Sequence, residues 1–135
     1  IDTVYDIVSL LIGVNNQYQG KTYEFYRSEF SDLLDTADKY SKSADRIFVL
    51  SIPDYGYTPF GSANKDKIGA ELNVYNQIAD SICKQRGIDF YNITDISRLA
   101  DKNKNLIAED DLHPSAYQYA QWVSRILENV SAKLP

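Results

Sequence analysis

Three short apolar runs, spaced by long amphipathic stretches, constrain this chain more than any other feature. Residues 6–13 read DIVSLLIG, residues 46–52 RIFVLSI and residues 88–93 IDFYNI. A near-continuous apolar, β-branched run closed by Gly or Pro is the pattern of a strand buried on both faces. Between the runs the period changes. After Thr22, a good helix cap, apolar side chains recur at Tyr23, Tyr26, Phe30, Leu33, Ala37 and Tyr40 in steps of three and four. Ile68, Leu72, Tyr75, Ala79 and Ile82 draw a second stripe, which Gly87 can terminate. A last helix is expected from near Pro114, whose fixed φ suits a first turn, with Ala116, Ala120, Val123, Leu127 and Val130 on its face. The segments 15–21, 41–45 and 54–64 have loop composition, and 94–111 is mostly polar with at most one helical turn at 96–99. The order strand, helix, three times over, predicts an α/β domain with a parallel sheet covered on both faces. No repeat, linker or low-complexity tract divides residues 1–135, so one domain is expected.

The first run is near-continuously apolar and expects a neighbour on each edge, because a bare apolar edge invites aggregation. The chain also begins at Ile1 and holds no methionine. Both features lead to the expectation that the domain is N-terminally incomplete, and that a preceding segment or a second chain covers the edge of the strand at 6–13. Lys+Arg 14 against Asp+Glu 19 leaves a net charge of -5 without a basic run. That balance argues against nucleic acid or an anionic membrane as partner. No apolar stretch is long enough for a transmembrane helix. A single cysteine, Cys83, excludes an internal disulfide and a cysteine-based zinc site, and its place beside Ile82 suits a small buried hydrophobe. A single histidine, His113, excludes multi-histidine metal motifs, so any imidazole chemistry falls to that residue.

In open parallel sheets the ligand site lies beyond the carboxyl ends of the strands. Two segments expected there can carry chemistry. In Asp110-Asp111-Leu112-His113-Pro114, a carboxylate three residues before a histidine can curl back to the imidazole Nδ1–H and leave Nε2 free as a general base. The spacing selects Asp110 over Asp111 and Glu109. The same acidic pair also suits the positive end of the last helix, and this segment alone leaves both readings open. In Gly13-Val14-Asn15-Asn16, the Asn15 amide stands two residues past a strand end. It can donate to a developing oxyanion, a contact worth about 3 kcal/mol when well placed, or it can be an ordinary turn former. Tyr55 and Tyr57, with Phe60, either line a pocket or cover the core.

In this order and at these strand ends, the segments resemble two sequence blocks of the SGNH (GDSL-type) hydrolases. LLIGVNN is similar to the family's third block, usually GxND, and DDLHPSAYQYAQW to its fifth, DxxHP with the following helix. SIPDYGYTPF resembles the loop after the penultimate strand in bacterial esterases of that family. The resemblance covers nearly the whole chain. It implies a flavodoxin-like three-layer α/β/α fold with strand order 2-1-3-4-5, of which this chain supplies the last three strand–helix units. It further implies a serine esterase acting on a small-molecule, glycan or lipid ester through a Ser-His-Asp triad without metal or cofactor. His113 would be the base, Asp110 the acid that orients it, and Asn15 an oxyanion-hole donor. Tyr55 and Tyr57 would line the substrate pocket.

Two departures accompany the resemblance. Asn16 stands where the family usually has Asp, and the blocks carrying the nucleophilic serine and an oxyanion-hole glycine are not among these residues. At about 30 residues per strand–helix unit, they would occupy roughly 60 more. Ser51 lacks a nucleophile-elbow context and is followed closely by Pro53, Ser9 lies inside a buried run, and Ser115 follows Pro114 at the helix start. None is expected to replace the nucleophile, so the chain alone is expected to be inactive. The alternative from another functional class is a flavodoxin-like binding or interaction domain that never had one.

Overall fold

The computed structural model describes residues 3–134. Three strands, β1 (Val8–Leu10), β2 (Ile47–Leu50) and β3 (Asp89–Tyr91), form a parallel sheet in the order β1-β2-β3. Ser9 is in register with Phe48, and Val49 with Phe90. The helices are α1 (Val14–Tyr18), α2 (Tyr23–Tyr40), α3 (Lys65–Arg86), α4 (Thr94–Ser97) and α5 (Ala116–Ser131). This is the α/β arrangement with a parallel sheet that the alternation of runs predicts, and it is consistent with the flavodoxin-like fold that the family resemblance implies. The outer edge of β1 has no strand partner among the described residues.

Side chains alternate across the sheet, and the core divides accordingly. Ile47 and Val49 face α2 and α3, meeting Tyr26, Phe30, Leu34, Leu72, Tyr75 and Ile82 in the larger core. Leu50 belongs to a second core with Ile93, Ile96, Leu106 and Trp122, which α4 and α5 close. Both long helices on the first face start or stop where their sequences dictate. Thr22 Oγ1 accepts from the Phe25 N–H at 3.2 Å. Gly87 takes the left-handed conformation, φ 68°, that lets its own N–H and that of Ile88 return to the last carbonyls of α3.

The structure corrects the sequence reading of two helix faces. In α2 the buried series is Tyr26, Phe30, Leu34 and Ala37, and Leu33 is 38% exposed, because Leu34 continues the row one turn below Phe30. In α5 the buried residues are Gln118, Trp122 and Ile126. The expected face is turned outward, with Val123 at 53% and Leu127 at 57% exposure. Trp122 decides the rotation: its ring is the largest apolar surface on the helix and fills the second core. Pro114 is also not in the first turn. It pairs with Ile107 in an antiparallel bridge, and Ser115 caps the helix by accepting from the Gln118 N–H.

Buried polar groups pin the loops at the carboxyl end of the sheet. Ser51 Oγ, 1% exposed as a residue, accepts from the backbone N–H groups of Ile93 and Thr94 and joins the ends of β2 and β3. Asp54, fully buried, pairs with Arg98 Nε at 2.9 Å and accepts from the Gly56 N–H, which fixes the start of the loop after β2.

Candidate active site

The three strands point their carboxyl ends toward one cleft of about 380 Å³. The segment after β1 contributes Val14, Asn15 and Tyr18, the loop after β2 contributes Pro53, Tyr55 and Phe60, and the segment before α5 contributes Leu112, His113 and Gln118. Residues 15, 55 and 113 are far apart in sequence, and the parallel sheet brings them together.

Asp110 and His113 form a local unit. The imidazole Nδ1 lies 2.5 Å from Asp110 Oδ2, while Oδ1 accepts from the backbone N–H groups of Leu112 and His113 at 3.0 and 2.9 Å. The His113 N–H, the imidazole and the Leu112 N–H hold the Asp110 carboxyl down to about 2. An acceptor-only carboxylate at Nδ1 assigns the proton to that nitrogen and leaves Nε2 with its lone pair. Nε2 has no hydrogen-bond partner among the described residues, and the ring is mostly exposed along the cleft. The turn depends on Asp111, which adopts φ 62°, a left-handed conformation that Asp tolerates better than most residues. Asp111 O accepts from the Phe60 N–H, tying the acid–base turn to the aromatic loop.

Asn15 occupies the first turn of α1. Gly13 makes this possible: at φ 122° it turns the chain sharply from β1 into the helix. The Asn15 side chain makes no hydrogen bond among the described residues and lies against the cleft. Asn16 is turned away, donating to Glu29 Oε2 at 2.6 Å, so the departure from the usual Asp falls outside the cleft.

The two tyrosines separate. Tyr55 lines the cleft, and burial raises its phenol above the ordinary value. Tyr57 does not line it. Its ring packs against the second core and under Lys65 Nζ, 3.8 Å from the ring centroid. The aromatic wall is completed instead by Phe60 and by Tyr18, which the sequence reading did not single out. The three rings sit 6.2–6.3 Å apart, centroid to centroid. Tyr18 gave no signal in the sequence, because 15–21 has loop composition and the helix α1 that carries Tyr18 one turn beyond Asn15 is a correction made by the structure.

No serine among the described residues is hydrogen-bonded to His113. Ser51 spends its hydroxyl on the strand-end network, and Ser115 on the cap of α5 and on Asn105 O. Ser97 lines the cleft but is 3% exposed, accepting from the Asp54 N–H and donating to Thr94 O.

A model of the GDSL-like lipase/acylhydrolase family matches residues 2–121. The chain belongs to this family. The match to the GDSL-like lipase/acylhydrolases runs from before β1 into α5, so it includes both the Asn15 turn and the Asp110–His113 unit. It places the chain among hydrolases. No curated protein matches it.

Proposed function

We propose that this chain is the acid–base and oxyanion portion of a serine hydrolase acting on carboxylic esters. The observation that carries the reading is the Asp110–His113 couple opening onto the same cleft as Asn15. In the proposed reaction a serine hydroxyl gives its proton to His113 Nε2 and attacks the ester carbonyl. Asn15 Nδ2–H donates to the oxyanion that forms. The imidazolium, held in orientation by Asp110, then protonates the departing alcohol. Water repeats the sequence on the acyl-enzyme, returning the serine and releasing the acid. The aromatic rings of Tyr55, Tyr18 and Phe60 along the cleft suit an apolar acyl or alcohol group.

The nucleophile in this reading comes from a further strand–helix segment lying along β1. One feature supports that position: the outer edge of β1 lacks a strand partner among the described residues. A strand added in parallel to that edge ends at the same side of the sheet as β1, and so delivers its following turn beside Asn15. Without the segment, the 135 residues are inactive in this account.

Labelling with a fluorophosphonate, followed by mass spectrometry, tests the reading. In the protein extended upstream of Ile1, one adduct is expected on a serine outside residues 1–135, and the isolated chain should stay unlabelled. An adduct on Ser51 or Ser97, or no adduct in the extended protein, would overturn it. The second of these results is what a binding domain without a nucleophile predicts.

A further inference from the structure

Helix α1 carries the Asn15 amide, yet it has five residues and no side-chain cap at Gly13. A helix this short does not hold itself, because its few hydrogen bonds do not offset the cost of ordering it. Its orientation is set by what it touches. Its buried residue is Gln17, 7% exposed, and both ends of that side chain are committed. Oε1 accepts from the Tyr55 hydroxyl at 2.8 Å, and Nε2 donates to Glu71 Oε2 at 2.7 Å. The Glu71 carboxylate fixes the sense of the amide, because it only accepts and so requires Nε2–H on its side, which leaves Oε1 to accept from the phenol. Burial, which raises the Tyr55 phenol, keeps it in that donor role.

We propose that Gln17 is a positioning residue for the oxyanion donor, and that Tyr55 and Glu71 complete a relay fixing how α1 presents Asn15 to the cleft. The inference rests on the ester-hydrolase reading. At about 100° per residue, side chains two apart on a helix point to nearly opposite sides. Gln17 therefore anchors the inner side of α1 while Asn15 stands on the outer side, and rotation at Gln17 is transmitted directly to Asn15. One partner, Glu71, is on α3, packed into the larger core. The other, Tyr55, is also a wall of the cleft. A substrate that presses on Tyr55 thus pushes on the same side chain that orients the oxyanion donor.

The test is the ¹H–¹⁵N spectrum of the 135-residue chain, read at the Asn15 side-chain amide and the backbone of α1. Gln17→Ala and Tyr55→Phe should both displace these resonances while leaving those of α2 in place. Glu71→Gln, which keeps an acceptor at Oε1, should preserve them, and Glu71→Ala should not. If Gln17→Ala does not fold, Tyr55→Phe carries the test, since it removes one hydroxyl. Unchanged Asn15 resonances in a folded Tyr55→Phe or Gln17→Ala chain would overturn the relay. In the form that turns over an aryl ester, Gln17→Ala should lower kcat by about 10–100-fold with little change in KM, as expected for a misplaced donor. A raised KM with unchanged kcat would also overturn it. Failure of the hydrolase reading is seen separately, as no fluorophosphonate adduct and no ester turnover in the extended protein with its native Gln17, Tyr55 and Glu71.

Discussion

Replacing Gly13 with Ala should cost far more than the same change at Gly87, although both glycines have positive φ. At Gly13 the backbone sits at φ 122° and ψ -14°, outside even the left-handed helical region. A side chain in such a conformation costs roughly 1–3 kcal/mol. The added Cβ would also lie 2.7 Å from Ile52 Cδ1 and 2.8 Å from Tyr26 Cε2. Neither neighbour can yield cheaply, since Ile52 and Tyr26 are 1% and 2% exposed within close-packed surroundings. Overpacking of this kind adds roughly 1–3 kcal/mol, so the two effects together come to about 4 kcal/mol at mid-range. Gly87 has φ 68° and ψ 29°, in the left-handed helical well, with nothing within 4 Å of an added Cβ. Only the conformational cost remains there, about 1–2 kcal/mol. Urea unfolding at constant m-value measures both. An equal loss in the two variants, or a loss below about 1 kcal/mol at Gly13, would refute the claim that the turn into α1 is sterically closed to any other residue.

Other consequences can be measured on the same chain. Burial pushes the Cys83 thiol up to about 12, so a disulfide reagent such as DTNB should leave it untouched in the native state and react fully in denaturant. Asp110 should titrate near pH 2 by carbonyl NMR. Because its folded value is depressed, whatever it contributes to the turn is complete above the ordinary value of 3.8 and is lost as pH falls toward 2. His113→Ala should raise that midpoint only part of the way, because the two backbone N–H donors remain. On α5, Ile126→Ala should cost about 2–4 kcal/mol by urea unfolding, while Leu127→Ala in the isolated chain should stay within about 0.5 kcal/mol. Similar losses at both positions would contradict the observed rotation of the helix.

Local chemistry made much of this legible. The Asp110–His113 pair is three residues apart, so one turn can bring it together, and the structure contains the contact that the spacing allowed, although the segment alone left a helix-end reading equally open. Thr22 and Gly87 act through backbone groups within a few residues of themselves. The places of the strands were legible because near-continuous apolar runs leave few alternatives, but the strands are shorter than the runs, and only β2 has the burial expected of both faces, since Ser9 of β1 and Asp89 of β3 are exposed. What failed depended on tertiary choice. Helix α5 carries two apolar stripes, one through Trp122 and Ile126 and one through Val123 and Leu127, and only the surrounding core decides between them. Tyr57 and Tyr55 look alike in sequence, yet the loop that starts at buried Asp54, paired with Arg98, sends one to the core and the other to the cleft. Gln17 gave no signal because its partners lie 38 and 54 residues away.

The most direct measurement is aryl-ester hydrolysis by the isolated 135 residues and by the protein extended upstream of Ile1. The isolated chain should show no turnover. The extended protein should hydrolyse the ester, losing about 10²–10⁴-fold in His113→Ala and about 10²–10³-fold in Asn15→Ala. Full activity in extended His113→Ala, or turnover by the isolated chain that Ser51→Ala abolishes, would contradict the assignment.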